Sequence, residues 1–146
     1  MIKSIKSTLH ERLLTLADGR QVALLENQLA GQTQQGKPLL IALHGWLDNA
    51  NSFARLAPRL KGLRIVALDL AGHGHSDHRP RGAGYALADY AFDVLRVAEQ
   101  LGWKQFALLG HSLGAIVSVV IAGSFPQRIT RMALIDGIVA RSGPEG

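Results

Sequence analysis

The sequence predicts an α/β fold: a mostly parallel sheet with helices on both faces. Four short, nearly continuous apolar runs end at or beside glycine, as strands buried on both faces of a parallel sheet do. Segments with apolar residues at three- and four-residue spacing lie between these runs, and this alternation is typical of α/β domains with right-handed crossovers. We expect one domain over residues 1–146, because no repeat, linker or low-complexity tract divides the chain.

The N-terminal part predicts a β-hairpin. Residues 13–16 and 22–25 are largely apolar and flank Asp18-Gly19, a dipeptide that is common in tight turns. Four further strands are predicted along the chain, and these are expected to run parallel. They are residues 38–43, 63–70, 105–109 and 131–136.

Three segments between the strands predict helices. Residues 87–101 carry apolar side chains on one face, and Gly102 provides the residue that often follows a helix end. Residues 52–60 place apolar side chains on one side and two arginines on the other. Residues 113–125 are apolar nearly all round, which predicts a helix buried against the sheet.

Composition excludes several classes of protein. With 47% hydrophobic and 18% charged residues, the chain is expected to be globular rather than disordered. The absence of cysteine excludes disulfides and thiol catalysis and is consistent with the cytoplasm, where we expect the protein. No stretch reaches the roughly 18 apolar residues of a membrane span. We interpret the basic residues behind the net charge of +5 as part of a solvated surface. We expect no nucleic-acid partner, since aromatic residues are few and signatures of nucleic-acid binding are lacking.

The most informative motif is Gly110-His111-Ser112-Leu113-Gly114, a G-x-S-x-G pentapeptide between a predicted strand and a predicted helix. This context is typical of a nucleophile elbow, a sharp turn whose flanking glycines avoid backbone clashes and whose serine stands clear of the sheet. Ser112 is the predicted nucleophile. The N–H of Leu113, at the start of a helix, is a predicted donor to an oxyanion. A glycine-rich turn without catalytic function is the alternative.

A second donor to an oxyanion is expected from the loop after the first parallel strand, which reads His44-Gly45-Trp46. Gly45 permits the turn, and the N–H of Trp46 is the predicted donor. The alternative is an ordinary strand-ending turn with Trp46 as a core aromatic residue.

Residues 69–76 form a glycine-rich loop after the next strand. This loop lacks the third glycine and the following helix of a dinucleotide site, so we predict no cofactor. His73, His75 and His78 have no clearly placed carboxylate beside them, and we predict no metal. A structural loop is the favoured interpretation.

Together these motifs resemble the α/β-hydrolase superfamily, and the first of them resembles its serine hydrolase-like branch. In chain order they are residues 44–53, residues 69–76, Tyr85 with its helix, and residues 110–115. The resemblance implies a hydrolase that acts on an ester or related acyl bond of a small molecule, without cofactor or metal. It assigns Ser112 as the nucleophile and Trp46 and Leu113 as the oxyanion donors.

The catalytic base has no good candidate in this sequence. Hydrolases with this pentapeptide carry Ser, then Asp or Glu, then His, whereas the last histidine here is His111, inside the motif. We interpret His44 and His111 as support for the oxyanion loop and the elbow. Asp136 ends the sixth predicted strand and is a candidate acid, with a helix cap or loop anchor as its alternative role. The resemblance also implies further strands and a lid, so we expect the fold to be truncated after about the sixth strand.

Three functions stay open at this point. The chain is the N-terminal part of a serine hydrolase, a truncated non-catalytic fragment or interaction module, or one part of a hydrolase completed by another chain. We expect the hydrolase class, with near-inactivity of residues 1–146 alone, because an unassisted serine hydroxyl is a poor nucleophile. We also expect self-association through the exposed edge of the sixth strand.

Overall fold

The computed structural model describes residues 9–28, 36–60, 62–80 and 85–136. Within these ranges the chain forms one six-stranded sheet with two α-helices and three short 3₁₀ helices. The strands are β1 His10–Thr15, β2 Gln21–Glu26, β3 Leu39–Leu43, β4 Arg64–Leu68, β5 Phe106–His111 and β6 Ile129–Ile135. The α-helices are α1 Leu87–Gln100 and α2 Leu113–Ser124. The 3₁₀ helices are Ala50–Phe53, Ala57–Arg59 and Pro126–Arg128.

The strand order across the sheet is β1-β2-β4-β3-β5-β6. β1 and β2 form the predicted antiparallel hairpin, and β2 is also antiparallel to β4. β4, β3, β5 and β6 run parallel to one another. The predicted α/β class with a mostly parallel sheet is therefore confirmed, and the four predicted parallel strands are all present with ends shifted by one or two residues.

The two faces of the sheet are covered by different kinds of helix. Ile41 and Leu43 belong to a buried cluster that includes the apolar sides of α1 and α2. Leu40 and Ala42, which alternate with them along β3, pack instead in a second cluster with Phe53 from a 3₁₀ helix. Both faces thus carry helical segments, with α1 and α2 on one and the 3₁₀ helices Ala50–Phe53 and Ala57–Arg59 on the other.

Residues 52–60 do not form the predicted helix. Two short 3₁₀ helices, Ala50–Phe53 and Ala57–Arg59, occupy this stretch. Pro58 explains the break, because proline lacks the N–H of a helix interior, clashes with the preceding turn and disfavours the α conformation at the residue before it. On the predicted apolar side, Phe53 and Ala57 are nevertheless buried, and Leu56 and Leu60 are half-buried.

α2 is less buried than its composition suggests. One side packs on the sheet and on α1, but Ile116 and Gly123 are exposed. No described element covers this second side of the helix, which is why its apolar residues are not enclosed. Neither α1 nor α2 has the length and apolar character needed to cross a membrane.

β6 is an edge strand of the described sheet. It pairs with β5 on one side, and no strand of the described residues pairs with its other side. Its side chains are exposed from Thr130 to Ile135, including the large apolar residues Met132 and Leu134.

Candidate active site

Ser112 occupies a strained turn between β5 and α2. Its backbone angles are φ 52° and ψ −112°, which lie outside the regions that non-glycine residues normally adopt. Such a conformation costs about 1–3 kcal/mol and persists only where the surrounding structure imposes it. The Ser112 N–H donates a hydrogen bond to the Ile135 carbonyl at 3.2 Å, and the residue itself is exposed. This geometry places a serine hydroxyl above the sheet at the start of a helix.

Two glycines allow the turn to pack tightly. A Cβ on Gly110 would lie 2.6 Å from the Gly114 carbonyl carbon and 2.7 Å from the Ala115 Cα. A Cβ on Gly114 would lie 2.5 Å from the Leu43 carbonyl carbon and 2.8 Å from the His44 carbonyl oxygen. Cβ atoms essentially never approach other atoms within 3.0 Å, so both positions require glycine. The first turn of α2 therefore lies directly against the end of β3.

The loop after β3 lies beside the same turn. A Cβ on Gly45 would lie 3.1 Å from His111 Nδ1 and 3.4 Å from Ser112 Cβ. These distances bring the sequence-predicted loop and the pentapeptide together at one end of the sheet. They also leave little space for a larger residue at position 45.

The backbone N–H groups of Trp46 and Leu113, at this end of the sheet, have no acceptor among the described residues. The Trp46 N–H belongs to a turn closed by the Asp48 N–H, which donates to the Gly45 carbonyl at 3.2 Å. Leu47 completes this turn with φ 59°, and its side chain is exposed. Free N–H groups flanking an exposed serine can donate to an anion that forms there.

His44 is buried and holds the loop in place. Its Nδ1–H donates to the Gly45 carbonyl at 2.7 Å, and its Nε2 accepts from the Leu70 N–H at 2.9 Å. The accepting role of Nε2 requires the neutral ring, and burial lowers the pKa of His44. Because both ring nitrogens are occupied, His44 has no free nitrogen for proton transfer.

The neutral state of His44 predicts that stability decreases in mild acid. An unfolded histidine protonates near pH 6.5, whereas burial lowers the pKa of His44 in the folded protein. The unfolded state therefore takes up the proton first, and the free energy of unfolding falls as the pH drops below about 6.5. Urea unfolding at about pH 7.5 and about pH 5.5 measures this loss. In His44→Asn the loss should be smaller, and equal losses in the two proteins would contradict the prediction.

The glycine-rich loop after β4 is braced by Asp69. Its carboxylate accepts from the Ala50 N–H at 2.7 Å and from the His75 N–H at 2.9 Å, while its carbonyl accepts from Ser76 Oγ at 2.6 Å. A Cβ on Gly74 would collide with this carboxylate. The contacts fit the structural loop predicted from the sequence, although the sequence reasoning did not single out Asp69 as its centre. The sequence signal that could have indicated this role of Asp69 is an acidic residue directly after a buried strand.

Asp136 lies at the edge of the site. Its Oδ2 is 3.5 Å from Nε2 of His111, the residue before Ser112. The Asp136 side chain is 84% exposed and its backbone has φ 47°. The candidate acid is thus close to the pentapeptide, although its observed partner is His111 and not a separate base.

No imidazole among the described residues forms a hydrogen bond with Ser112 Oγ. His73 Nδ1–H donates to the Ala71 carbonyl at 3.0 Å. His75 is exposed and pairs with Glu11, whose carboxylate raises the pKa of His75. Across residues 9–28, 36–60, 62–80 and 85–136, no three His, Cys, Asp or Glu side chains form a group that could hold a metal.

Asp93 joins three segments behind the site. Arg20, from the β1–β2 hairpin, donates two hydrogen bonds to its carboxylate at 3.0 and 2.7 Å, and this pairing raises the pKa of Arg20. Arg79, after the glycine-rich loop, donates at 2.9 Å, and Arg96 of α1 donates from the surface at 3.1 Å. The hairpin, the loop and α1 are thereby held by one buried carboxylate.

The sequence of the chain matches that of a known family. A family model described as the alpha/beta hydrolase fold matches residues 38–144. The chain belongs to the α/β-hydrolase family. Within it, this α/β-hydrolase is 48% identical over 101 residues to a serine hydrolase-like protein of Dictyostelium discoideum, covering 68% of this chain and 28% of that protein. A human serine hydrolase-like protein is 43% identical over 103 residues, covering 70% of this chain and 50% of the relative.

A solved structure extends the similarity of this α/β-hydrolase to most of the chain. The crystal structure of a hypothetical protein from Pseudomonas aeruginosa PAO1 superposes with a TM-score of 0.80 at 60% identity, covering 91% of this chain and 45% of that one. The chain therefore spans between 28% and 50% of the length of these three proteins.

Proposed function

We propose that the chain is the nucleophile-bearing part of a serine hydrolase that acts on an ester or related acyl bond of a small molecule. The observation that carries this proposal is the strained, exposed Ser112 between β5 and α2, with unpaired N–H groups at Trp46 and Leu113. Membership of the α/β-hydrolase family and the names of the serine hydrolase-like relatives support it. The proposal includes no cofactor.

In the proposed reaction, Ser112 Oγ attacks the carbonyl carbon of the substrate and loses its proton to a base. The carbonyl oxygen becomes an oxyanion that accepts hydrogen bonds from Trp46 and Leu113, and the positive end of the α2 dipole favours the same charge. The bond to the leaving group then breaks, and the leaving group departs with the proton as an alcohol. Water attacks the resulting acyl-serine, releases the acid and restores the hydroxyl. Removing one such donor in a comparable site costs about 10²–10³ in turnover.

The base for this reaction is proposed to lie outside the described residues. Both nitrogens of His44 are occupied, and the sequence contains no histidine after His111. Asp136 is proposed as the acid because it lies at the edge of the site. Loss of the histidine from a different serine hydrolase lowers turnover by about 10⁶, with roughly 10³–10⁴ over water remaining. We therefore propose that residues 1–146 alone have very low turnover.

Covalent labelling tests the assignment of Ser112. A fluorophosphonate probe should modify the chain slowly, because no base assists Ser112. The modification should lie at one position, identified as Ser112 by mass spectrometry of peptides, because the oxyanion donors also stabilise the phosphonylated state. Labelling should disappear in Ser112→Ala and persist in Ser124→Ala, which alters an exposed serine at the other end of α2. Modification of another residue, or none after prolonged exposure of a folded monomer to the probe, would contradict the proposal.

The same sample tests the proposed lack of a base. Hydrolysis of a short aryl ester by monomer verified by sedimentation should stay close to the rate in Ser112→Ala. Robust turnover that depends on Ser112 would show that a base is present within residues 1–146.

A second candidate function is that of an interaction module, or of one part of a hydrolase completed by another chain. The exposed β6 edge with Met132 and Leu134 favours it, because unpaired strand edges and apolar surface promote association. Absence of labelling together with self-association in sedimentation would support this candidate. The cytoplasmic location and the lack of a nucleic-acid partner stay predictions.

A further inference from the structure

The ring of His73 contacts both helix α1 and the loop after β3 that carries the Trp46 N–H. His73 belongs to the glycine-rich loop after β4, and only 7% of the residue is exposed. Its ring centroid lies 6.4 Å from that of Tyr90, a buried residue of α1, and 5.3 Å from that of Trp46. The His73 ring therefore joins a buried helix face to the loop beside Ser112.

His73 is itself held by several contacts. Its Nδ1–H donates to the Ala71 carbonyl at 3.0 Å, within the same loop. Its ring also meets the buried ring of His44 at a centroid distance of 5.0 Å. A buried side chain with a hydrogen bond and ring contacts has few alternative rotamers, so the His73 ring offers a rigid surface to a neighbour.

Trp46 is the neighbour that needs such a surface. It is 59% exposed, and the next residue, Leu47, is more exposed still. The turn that contains both residues is closed by the Asp48 N–H, which donates to the Gly45 carbonyl at 3.2 Å. The Trp46 ring meets the His73 ring edge-on, with an angle of 75° between the planes, and aromatic pairs favour this arrangement. The contact with His73 thus fixes the side chain of an otherwise exposed part of the loop.

We propose that His73 is a positioning residue for the loop after β3. Its ring holds the Trp46 side chain and thereby keeps the Trp46 N–H directed at the carbonyl oxygen of the substrate. The inference rests on the proposed function, in which this N–H stabilises the oxyanion. His73 touches no reacting atom and transfers no proton. Such support matters because a displacement of about 1 Å at a reacting centre lowers rates by up to about 10²-fold.

Two variants separate the ring of His73 from its hydrogen bond. His73→Asn keeps an N–H that can donate to the Ala71 carbonyl but lacks the ring, whereas His73→Phe keeps a ring and lacks the nitrogen. The readout is the rate at which a fluorophosphonate labels Ser112, because the oxyanion donors stabilise the phosphonylated serine. His73→Asn should slow labelling by about tenfold, a part of the roughly 10²–10³ lost when a donor is removed altogether. His73→Phe should label at nearly the unmodified rate.

His75→Asn is the matched control in the same loop. The His75 side chain is exposed and pairs with Glu11, while its backbone N–H, which donates to Asp69, is kept in the variant. Labelling should proceed at the unmodified rate. An unchanged rate in His73→Asn would overturn the inference. Equal slowing in His73→Asn and His73→Phe would overturn it as well, because the effect would then not come from the ring.

A double-mutant cycle tests whether His73 acts through the side chain of Trp46. Trp46→Ala keeps the backbone N–H and removes the ring, so it should slow labelling by a similar factor. Adding His73→Asn to this variant should slow labelling no further, because the contact is already lost. Slowing by the same factor a second time would overturn the inference. If His73→Asn does not fold, Trp46→Ala decides, since its ring is largely exposed, and labelling at the unmodified rate would overturn the inference.

The amide resonance of Trp46 separates this inference from the proposed function. In ¹⁵N relaxation dispersion, His73→Asn should broaden the Trp46 amide and leave that of Leu113 sharp, since Leu113 belongs to α2. His73→Phe should broaden neither. Broadening of Trp46 in a chain whose Ser112 is never labelled would keep the role of His73 in holding the loop and reject the hydrolase proposal. Labelling of Ser112 with a sharp Trp46 amide in His73→Asn would reject the positioning role alone.

Discussion

Gly114→Ala is expected to lower the free energy of unfolding by about 3 kcal/mol or more. Overpacking a core costs about 1–3 kcal/mol when side chains can adjust. Here the new Cβ would meet the backbone carbonyl groups of Leu43 and His44, which cannot rotate away without displacing the end of β3. The Gly114 N–H, which donates to the His44 carbonyl at 3.1 Å, would be displaced as well. Urea unfolding followed by circular dichroism measures the change.

Gly123→Ala is the matched control on the same helix. A Cβ at Gly123 would have no atom within 4 Å, and its backbone angle is compatible with any residue. Alanine there should stabilise the chain by about 0.5–1 kcal/mol through helix propensity. A loss of less than about 1 kcal/mol in Gly114→Ala would mean that α2 does not press against β3 as described.

Asp93→Ala is expected to destabilise the chain by about 3–5 kcal/mol, the usual result of removing one partner from a buried ion pair. The Asp93 side chain is 4% exposed, and its removal leaves the guanidinium of Arg20, which is 7% exposed, without its main anion. Arg79 would lose its carboxylate partner at the same time. Since domains are stable by only about 5–15 kcal/mol, the variant should unfold at much lower urea.

Arg96→Ala is the control for Asp93. Arg96 contacts the same carboxylate, but its side chain is 51% exposed, so its loss should cost no more than about 1 kcal/mol. Unfolding of both variants is compared at one pH and one salt concentration. Equal effects would show that the buried pairing with Arg20 contributes nothing beyond a surface ion pair.

Much of the fold could be predicted because its signals are local. The strands are short apolar runs ended by glycine, and α1 has a clear apolar periodicity, so the parallel strands and this helix lie close to their predicted positions. The pentapeptide at residues 110–114 and the loop at His44 also carry their own sequence signatures. Parallel strands that end at the same edge bring these two segments together.

Features that depend on distant partners could not be predicted in this way. Arg20 and Asp93 are far apart in sequence, and nothing around either residue indicates the other. The contacts of the His73 ring with Tyr90 and Trp46 form only once the glycine-rich loop packs beside α1. The helix predicted at residues 52–60 is absent for a different reason. The prediction rested on the apolar spacing alone, whereas Pro58 interrupts a helix.

The central position of β3 has a consequence for biosynthesis. Leu40 pairs with Ile65 on one side and with Ala107 on the other, so one edge of β3 gains its neighbour only after residues 106–111 have been made. At ribosomal speeds of about 5–20 residues per second, the interval between the synthesis of β3 and that of β5 is roughly several seconds. During this interval that edge of β3 is unpaired and open to other nascent chains. The edge is covered once β5 pairs with β3 and Gly114 of α2 packs against Leu43. Because Ser112 lies between β5 and α2, the same packing that covers this edge of β3 also holds Ser112 in its strained position.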